Sequence, residues 1–327
     1  MSNIRNKLYE KFLEAIRSKV PERFRLANII ADVLLIEKDA VYRRLRGEVP
    51  FTFAEAATVA ERLDISLDDI IFVASPYRSR PFHLHLQNYF EMEEIDYTMS
   101  QNYVETIRSM RHQNKTVFGC VTNVLPLHVL TYCPLLFRLY LLKWMYQFRN
   151  FKAIQPFSQI FVPERLQKLH RQYLEEVQNI KHTFFIWDKS FLAYMVHDIK
   201  YFQHLRLIAD EDMLMLKNET EHFLSKAEEV TSNGGYSNGN KVDIYISGLN
   251  LDATYSYLTN ERDIHISMVN AFTLGALTSM TDDVCERMKV WMTSIKRSSI
   301  LISASSEKER ISFFDKQREL LHQQLIS

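Results

Sequence analysis

Apolar side chains recur every three or four positions through residues 3–71. Ile4, Leu8, Phe12 and Ile16 share one face of a helix over residues 3–19, and Pro21 breaks that pattern. Phe24, Ala27, Ile30, Ala31 and Leu34 line a second helix over residues 22–34. A short bridge, Leu35-Ile36-Glu37, leads into a third helix from about Lys38 to Arg46, which Gly47 stops. Thr52-Phe-Ala-Glu55 has the form of a capping box and opens a fourth helix, with Phe53, Ala56, Ala57, Ala60 and Leu63 on one face. Ser66-Leu-Asp-Asp69 reads as the cap of a fifth, carrying Leu67, Ile70 and Ile71. Five short helices are therefore expected before residue 73.

Residues 74–81, ASPYRSRP, are polar, carry Pro76 and Pro81, and break the periodicity. They are read as a linker between a domain at 1–73 and a second at 82–327. Arg78 and Arg80 in it could touch phosphates beside a helix-turn-helix, but are read in preference as ordinary soluble-linker residues.

The pattern beyond the linker is mixed. Helical spacing predicts helices at 101–112, 135–149, 164–179 (with Pro163 at its entry), 190–207 and 210–230. Residues 115–124, KTVFGCVTNV, read as a strand, and TSNGGYSNGN at 231–240 as a flexible loop. The period then drops to two. Val242, Ile244 and Ile246 alternate with polar residues, as do Ala253, Tyr255 and Tyr257, and Ile264, Ile266 and Met268. Two or three antiparallel strands are expected there, then a helix at 281–297, a strand at 300–303 and a helix at 306–325. The fold class is mainly α: a five-helix N-terminal domain, then a larger α+β domain, mostly helical, with a small antiparallel sheet.

Composition narrows the function classes. Lys plus Arg equals Asp plus Glu at 40 each, so any affinity for nucleic acid must come from a local patch and not from a global basic field. Cys120, Cys133 and Cys285 are odd in number and lack CxxC spacing, against a disulfide framework or a zinc site. The start, MSNIRNKLYEKF, has no apolar secretory core. The uncharged stretch 121–137 contains Asn123, Pro126, His128 and Pro134 and falls short of a membrane span. A cytoplasmic protein is expected.

Within 34–48, LLIEKDAVYRRLRGE, the local patch appears. With Val41 and Leu45 turned inward, Asp39, Tyr42, Arg43 and Arg46 point outward at 100° per residue, Arg44 falls on the flank and Lys38 sits at the helix start. A helix-turn-helix needs this arrangement: one helix braces on the backbone, and the second enters the major groove. Charge runs are most often solvated faces paired with local acids, and Glu37, Asp39 and Glu48 supply such acids. The surrounding helices tip the balance toward DNA contact.

Residues 29–70 resemble the Xre/Cro (lambda-repressor-like) family of helix-turn-helix domains. The family's recognition helix ends in a glycine, here Gly47, and a later helix ends in a pattern matched by Ala60, Leu63, Ile65, Ser66, Leu67, Asp69 and Ile70. The turn departs from the family. Leu35 and Glu37 stand where a glycine and a small capping residue are usual. The resemblance implies a transcriptional regulator that binds double-stranded DNA through Lys38, Tyr42, Arg43, Arg44 and Arg46. It also implies a homodimer, with an effector or oligomerisation domain following. The alternative is a module that docks another protein through the same scaffold without DNA.

No catalytic set is expected. The chain lacks GxxxxGK[ST], GxGxxG, GxSxG and HExxH, and Asp282-Asp283 has no calcium loop around it. His83 and His85 alternate but have no third ligand near them in sequence, so neither metal nor cofactor is assigned. Ser306 with Glu309 is read as a capping box and not as an anion site. The aromatic stripe Phe137, Tyr140, Trp144, Tyr146 and Phe148 is read as core or dimer contact in preference to pocket lining.

Overall fold

The computed structural model describes residues 2–20, 22–63, 65–67, 70–71, 84–88, 91–113, 115–125, 133–148, 154–260, 264–271, 273 and 275–325. The chain forms two compact units, Met1–Phe82 and His83–Ser327.

Four helices build the described part of the first unit: α1 (Ser2–Lys19), α2 (Arg23–Leu34), α3 (Lys38–Leu45) and α4 (Phe53–Arg62). Phe12, Leu13, Ile16, Leu26, Ala27, Ile30, Val41, Phe51, Val59 and Ala60 are buried together as its core. The expected fifth helix falls partly on residues outside those described; Leu67 and Ile70 pack against this core. Two helix faces differ from the periodic reading. Phe24 and Phe53 are 67% and 85% exposed, while Leu26 and Val59 take the inward places. Both phenylalanines sit in the first turn, where the chain has not yet closed on its neighbours. The linker at 74–81 lies outside the described residues.

The second unit is built on one eight-stranded sheet, ordered β1-β7-β6-β5-β2-β3-β4-β8. Its strands are β1 (His85–Asn88), β2 (Val117–Thr122), β3 (His182–Trp187), β4 (Lys241–Ser247), β5 (Tyr255–Thr259), β6 (His265–Ala271), β7 (Gly275–Ser279) and β8 (Ser299–Leu301). The sheet is mixed, not antiparallel. β2, β3 and β4 run parallel, with Val117 opposite His182 and His182 opposite Lys241. β5 pairs antiparallel with β2, β6 with β5, β7 with β6, β1 with β7, and β8 with β4. The parallel core requires crossovers, and helices supply them. Between β2 and β3 these are α6 (Pro134–Phe148) and α7 (Glu164–Gln178), and between β3 and β4 they are α8 (Phe191–His204) and α9 (Asp210–Asn233); α5 (Glu94–Met110) precedes β2, α10 (Asp282–Arg297) joins β7 to β8, and α11 (Glu307–Gln324) follows β8.

Alternation along each central strand splits the interior into two layers. Phe118 and Cys120 of β2 and Phe185 and Trp187 of β3 join the large core beneath α5–α9 and α11. Val121, Phe184 and Ile186 face the other way, toward Cys285 and Met292 of α10. On that second face a Cβ at Gly119 would lie 2.5 Å from the Phe184 ring and 2.8 Å from the Tyr257 ring. Glycine is needed there because two rings cross close above the strand.

Four local expectations are corrected. The segment 231–240 is tightly held: α9 runs to Asn233, Gly234 caps it at φ 65°, and Tyr236 is buried. Asn238 and Asn240 both donate to the Gln178 carbonyl, at 3.0 and 2.9 Å. The Ser306–Glu309 capping box does not form. Ser306 sits in the left-handed region at φ 50°, which turns its side chain from the helix start. Buried Arg310 instead donates to the carbonyls of Ile302 and Ser305, both at 3.2 Å. Pro163 is the cap residue before α7 and not its first helical position. The aromatic stripe of α6 divides. Trp144 stacks on Phe148 and Tyr146 packs on Phe202, whereas Phe137 and Tyr140 line a cavity.

Candidate nucleic-acid interface

α2 ends where Leu35 enters the left-handed region at φ 53°, its amide donating to the Ala31 carbonyl. A glycine would take this conformation without strain. The Leu35 side chain is 90% exposed, so nothing packs against it in return. The Ile36 amide also donates to Ala31 O, at 3.2 Å, and α3 begins two residues later. This turn packs α3 against α2, and α4 packs on α2 as well.

Val41 and Leu45 are buried as their spacing requires. Tyr42 is not fully outward, as the helical wheel had it; it is half-buried against the core. Arg43 and Arg46 are exposed, with side chains 60% and 58% accessible. Lys38 is exposed too, its ammonium 5.1 Å from the Phe24 ring centre. The exposed Phe24 ring thus has a cation over it.

Arg44 is used differently. Its Nη2 donates to Glu55 Oε1 at 2.8 Å, its Nε to Glu55 Oε2 at 3.4 Å, and its Nη1 to the Ala40 carbonyl at 3.3 Å. Glu55 is itself half of the Thr52 capping box. The Thr52 amide donates to Glu55 Oε2 at 2.8 Å, and the Glu55 amide to Thr52 Oγ1 at 3.2 Å. One carboxylate therefore caps α4 and holds α3. The Arg44 guanidinium beside Glu55, with the Thr52 amide second, holds the Glu55 carboxyl below the usual carboxylate range. Arg44 is thereby tied between two helices and largely shielded, whereas Arg43 and Arg46 remain exposed.

Two contacts that periodicity does not reveal come from α1. Arg17 Nη2 donates to the Leu45 carbonyl at 2.7 Å, placing a cation at the carboxyl end of α3, where it favours the helix dipole. The Tyr9 hydroxyl donates to the carbonyls of Arg44 and Val49, both at 3.4 Å, and accepts from the Phe51 amide at 3.1 Å. Their only trace in sequence is that each lies one turn or less from Phe12 or Ile16.

Glu48 faces the exposed arginines. Arg46 reaches it through two bonds, Nε to Oε1 at 2.6 Å and Nη2 to Oε2 at 3.2 Å, and Arg43 Nε lies 3.8 Å from Oε2. The Arg46 guanidinium holds the Glu48 carboxyl below its ordinary range. All three groups are exposed, so these pairs exchange readily with water and with competing anions. Chemically the face offers two guanidinium forks and one ammonium on a helix whose carboxyl end is pinned by α1 and whose flank is pinned by α4. Guanidinium groups so placed can bridge guanine O6 and N7 or hold phosphates.

Among the described residues, no three His, Cys, Asp or Glu side chains gather as a metal-binding group, and no helix is long and apolar enough to cross a membrane. His85 is exposed, and His83 lies outside the described residues. No known family, curated protein or solved structure matches the chain.

Proposed function

We propose that the first unit binds double-stranded DNA and that the protein is a cytoplasmic transcriptional regulator, acting as a homodimer, with its larger unit serving as an effector or oligomerisation domain. The resemblance of residues 29–70 to the Xre/Cro helix-turn-helix family is part of the support. The single observation that carries the reading is that Arg43 of α3 and Arg46 at its C-cap stand exposed while Arg44, Tyr9 and Arg17 hold that helix in place. A reading helix needs solvent-exposed forks on a rigid mount. In this reading Lys38, Arg43 and Arg46 touch DNA, Tyr42 supports the helix from its half-buried position, and Arg44 braces. No catalytic role is assigned.

Selection of bound sites from random duplex DNA by the full chain tests the proposal. Enrichment of one motif supports it, and two half-sites spaced by one helical turn support the dimer. Recovery of no motif at low salt counts against it.

A second reading has one specific observation in its favour. Glu48 binds Arg46 and approaches Arg43, so part of the positive charge of the face is neutralised within the unit, as suits a protein-docking surface. Failure to retain DNA at low salt, with recovery of one stoichiometric protein partner, favours docking over DNA.

A further inference from the structure

The larger unit holds a cavity of about 420 Å³ at the carboxyl end of β2. Its size falls within the range of small-molecule sites, about 300–1,000 Å³. In sheets with parallel strands, ligands bind outside the carboxyl ends of those strands. The cavity lies there, between the sheet and helices α5, α6 and α7.

Its two walls differ in chemistry. The helical wall is ringed with aromatic groups. Tyr103 stacks on Tyr173, centroids 6.0 Å apart and planes 25° from parallel. His170 lies 5.1 Å from Phe137 at 31°, and Tyr140 lines the same wall. The opposite wall is hydroxyl- and amide-bearing, through Asn123, Thr254, Ser256 and Asn270. Thr254 and Asn123 are held in position: the Thr122 and Thr254 hydroxyls lie 2.8 Å apart, and Thr254 Oγ1 donates to Asn123 Oδ1 at 3.3 Å.

Charge narrows the occupant. Among the described residues lining the cavity, the basic groups are Lys143 and His170. The Lys143 ammonium is already taken by Asp198 at 2.6 Å. Burial pushes the His170 imidazole down to about 4, so it is neutral at pH 7. The acid on the lining, Asp252, is exposed at the rim. A phosphate or carboxylate would find no uncommitted cation inside and would meet a carboxylate on entry.

We infer that this cavity binds an uncharged, planar heteroaromatic molecule, its ring faces against Tyr103, Phe137, His170 and Tyr173 and its polar edge against Asn123, Thr254 and Ser256. A flat ring gains from stacking on the helical wall. Ring carbonyl, amine or hydroxyl groups satisfy the sheet wall, which is wasted on a purely aliphatic guest. The inference stands whether or not the first unit binds DNA.

Ligand-observed NMR on the full chain tests it, with indole, adenine, quinolin-2-one and thymidine as probes. Cyclohexanol serves as the aliphatic comparison and indole-3-carboxylate as the anionic one. The expected result is saturable binding, at millimolar dissociation constants or tighter, of at least one neutral heteroaromatic. The two comparisons should bind at least tenfold more weakly. Ser256→Phe fills the cavity from the sheet side, and Asn270→Trp obstructs its rim from an exposed position that leaves the core intact; a thermal melt establishes that each folds. Either folded variant should weaken the bound probe at least tenfold. Silence from all four probes overturns the inference. So does preference for the anionic analogue, or binding unchanged in the folded Asn270→Trp chain.

Discussion

Arg44 and Glu55 meet between α3 and α4, with Nη2 2.8 Å from Oε1 and both side chains largely shielded from solvent. Because Glu55 also accepts the Thr52 amide, removing the guanidinium loosens a cap as well as an ion pair. Arg44→Ala should destabilise the first unit by about 1–2 kcal/mol, the scale of a partly buried charged hydrogen bond with a weakened cap. Lys at 44 should recover little, since it cannot span Glu55 and the Ala40 carbonyl together. Urea denaturation of the Ala and Lys variants checks this, and a wild-type midpoint for Arg44→Ala sinks the bracing role.

Leu35 is held at φ 53° with its side chain in solvent. A left-handed residue bearing a Cβ costs about 1 kcal/mol or more, and no packing offsets it here. Leu35→Gly should therefore stabilise the first unit by about 1 kcal/mol despite the greater freedom of glycine in the unfolded chain. The same denaturation measurement reads it; a loss of stability shows that the leucine makes an uncounted contact.

His170 should make the larger unit acid-sensitive over a defined window. Its imidazole titrates at about 4 in the fold because burial disfavours the charged form, against an ordinary value of about 6.5. Below pH 6.5 the unfolded chain binds a proton that the folded chain does not, so stability falls as pH drops from 6.5 toward 4 and levels off beneath it. The span of the loss is up to about 3 kcal/mol. His170→Phe, which keeps a ring beside Phe137, should flatten the curve in that window. Denaturation midpoints at pH 7, 5.5 and 4 for both chains decide it.

Three local features of the first unit were legible in sequence, while its five-helix layout is not confirmed. The Thr52–Glu55 box, Gly47 and the Val41–Leu45 pair all encode their roles within four residues, and the structure bears out each. Phe24 and Phe53 misled because a wheel assigns every large apolar residue to the core, whereas first-turn residues can sit outside it. The committed state of Arg44 was not legible, since its partner lies eleven residues away on another helix. In the larger unit, β3 escaped notice. HTFFIW is covered on both faces, so it lacks the alternation that marks a half-exposed strand. With β3 missing, the parallel core was invisible and β4 was read as part of an antiparallel set. β1 and β7 are short strands at one end of the sheet. The cavity draws on three helices and the sheet, so no single segment encodes it; in sequence Phe137 and Tyr140 are only members of a stripe.

Glu48 should restrain whatever the exposed arginines bind. It holds Arg46 by two bonds and lies near Arg43. If phosphates compete for those guanidinium groups, Glu48→Gln should tighten DNA binding severalfold at low salt and remove a like-charge repulsion. Fluorescence anisotropy with a labelled duplex measures it, and weaker binding by Glu48→Gln contradicts the competition.

The most direct test of the central claim is the salt dependence of duplex binding by the full chain and by Arg43→Ala/Arg46→Ala. The account predicts that the double variant, folded to the same melting point, binds at least tenfold more weakly. The slope of log affinity against log salt should fall by about 1 for each of the two guanidinium groups that holds a phosphate. Equal affinity and equal slope in the two chains would show that α3 does not read DNA.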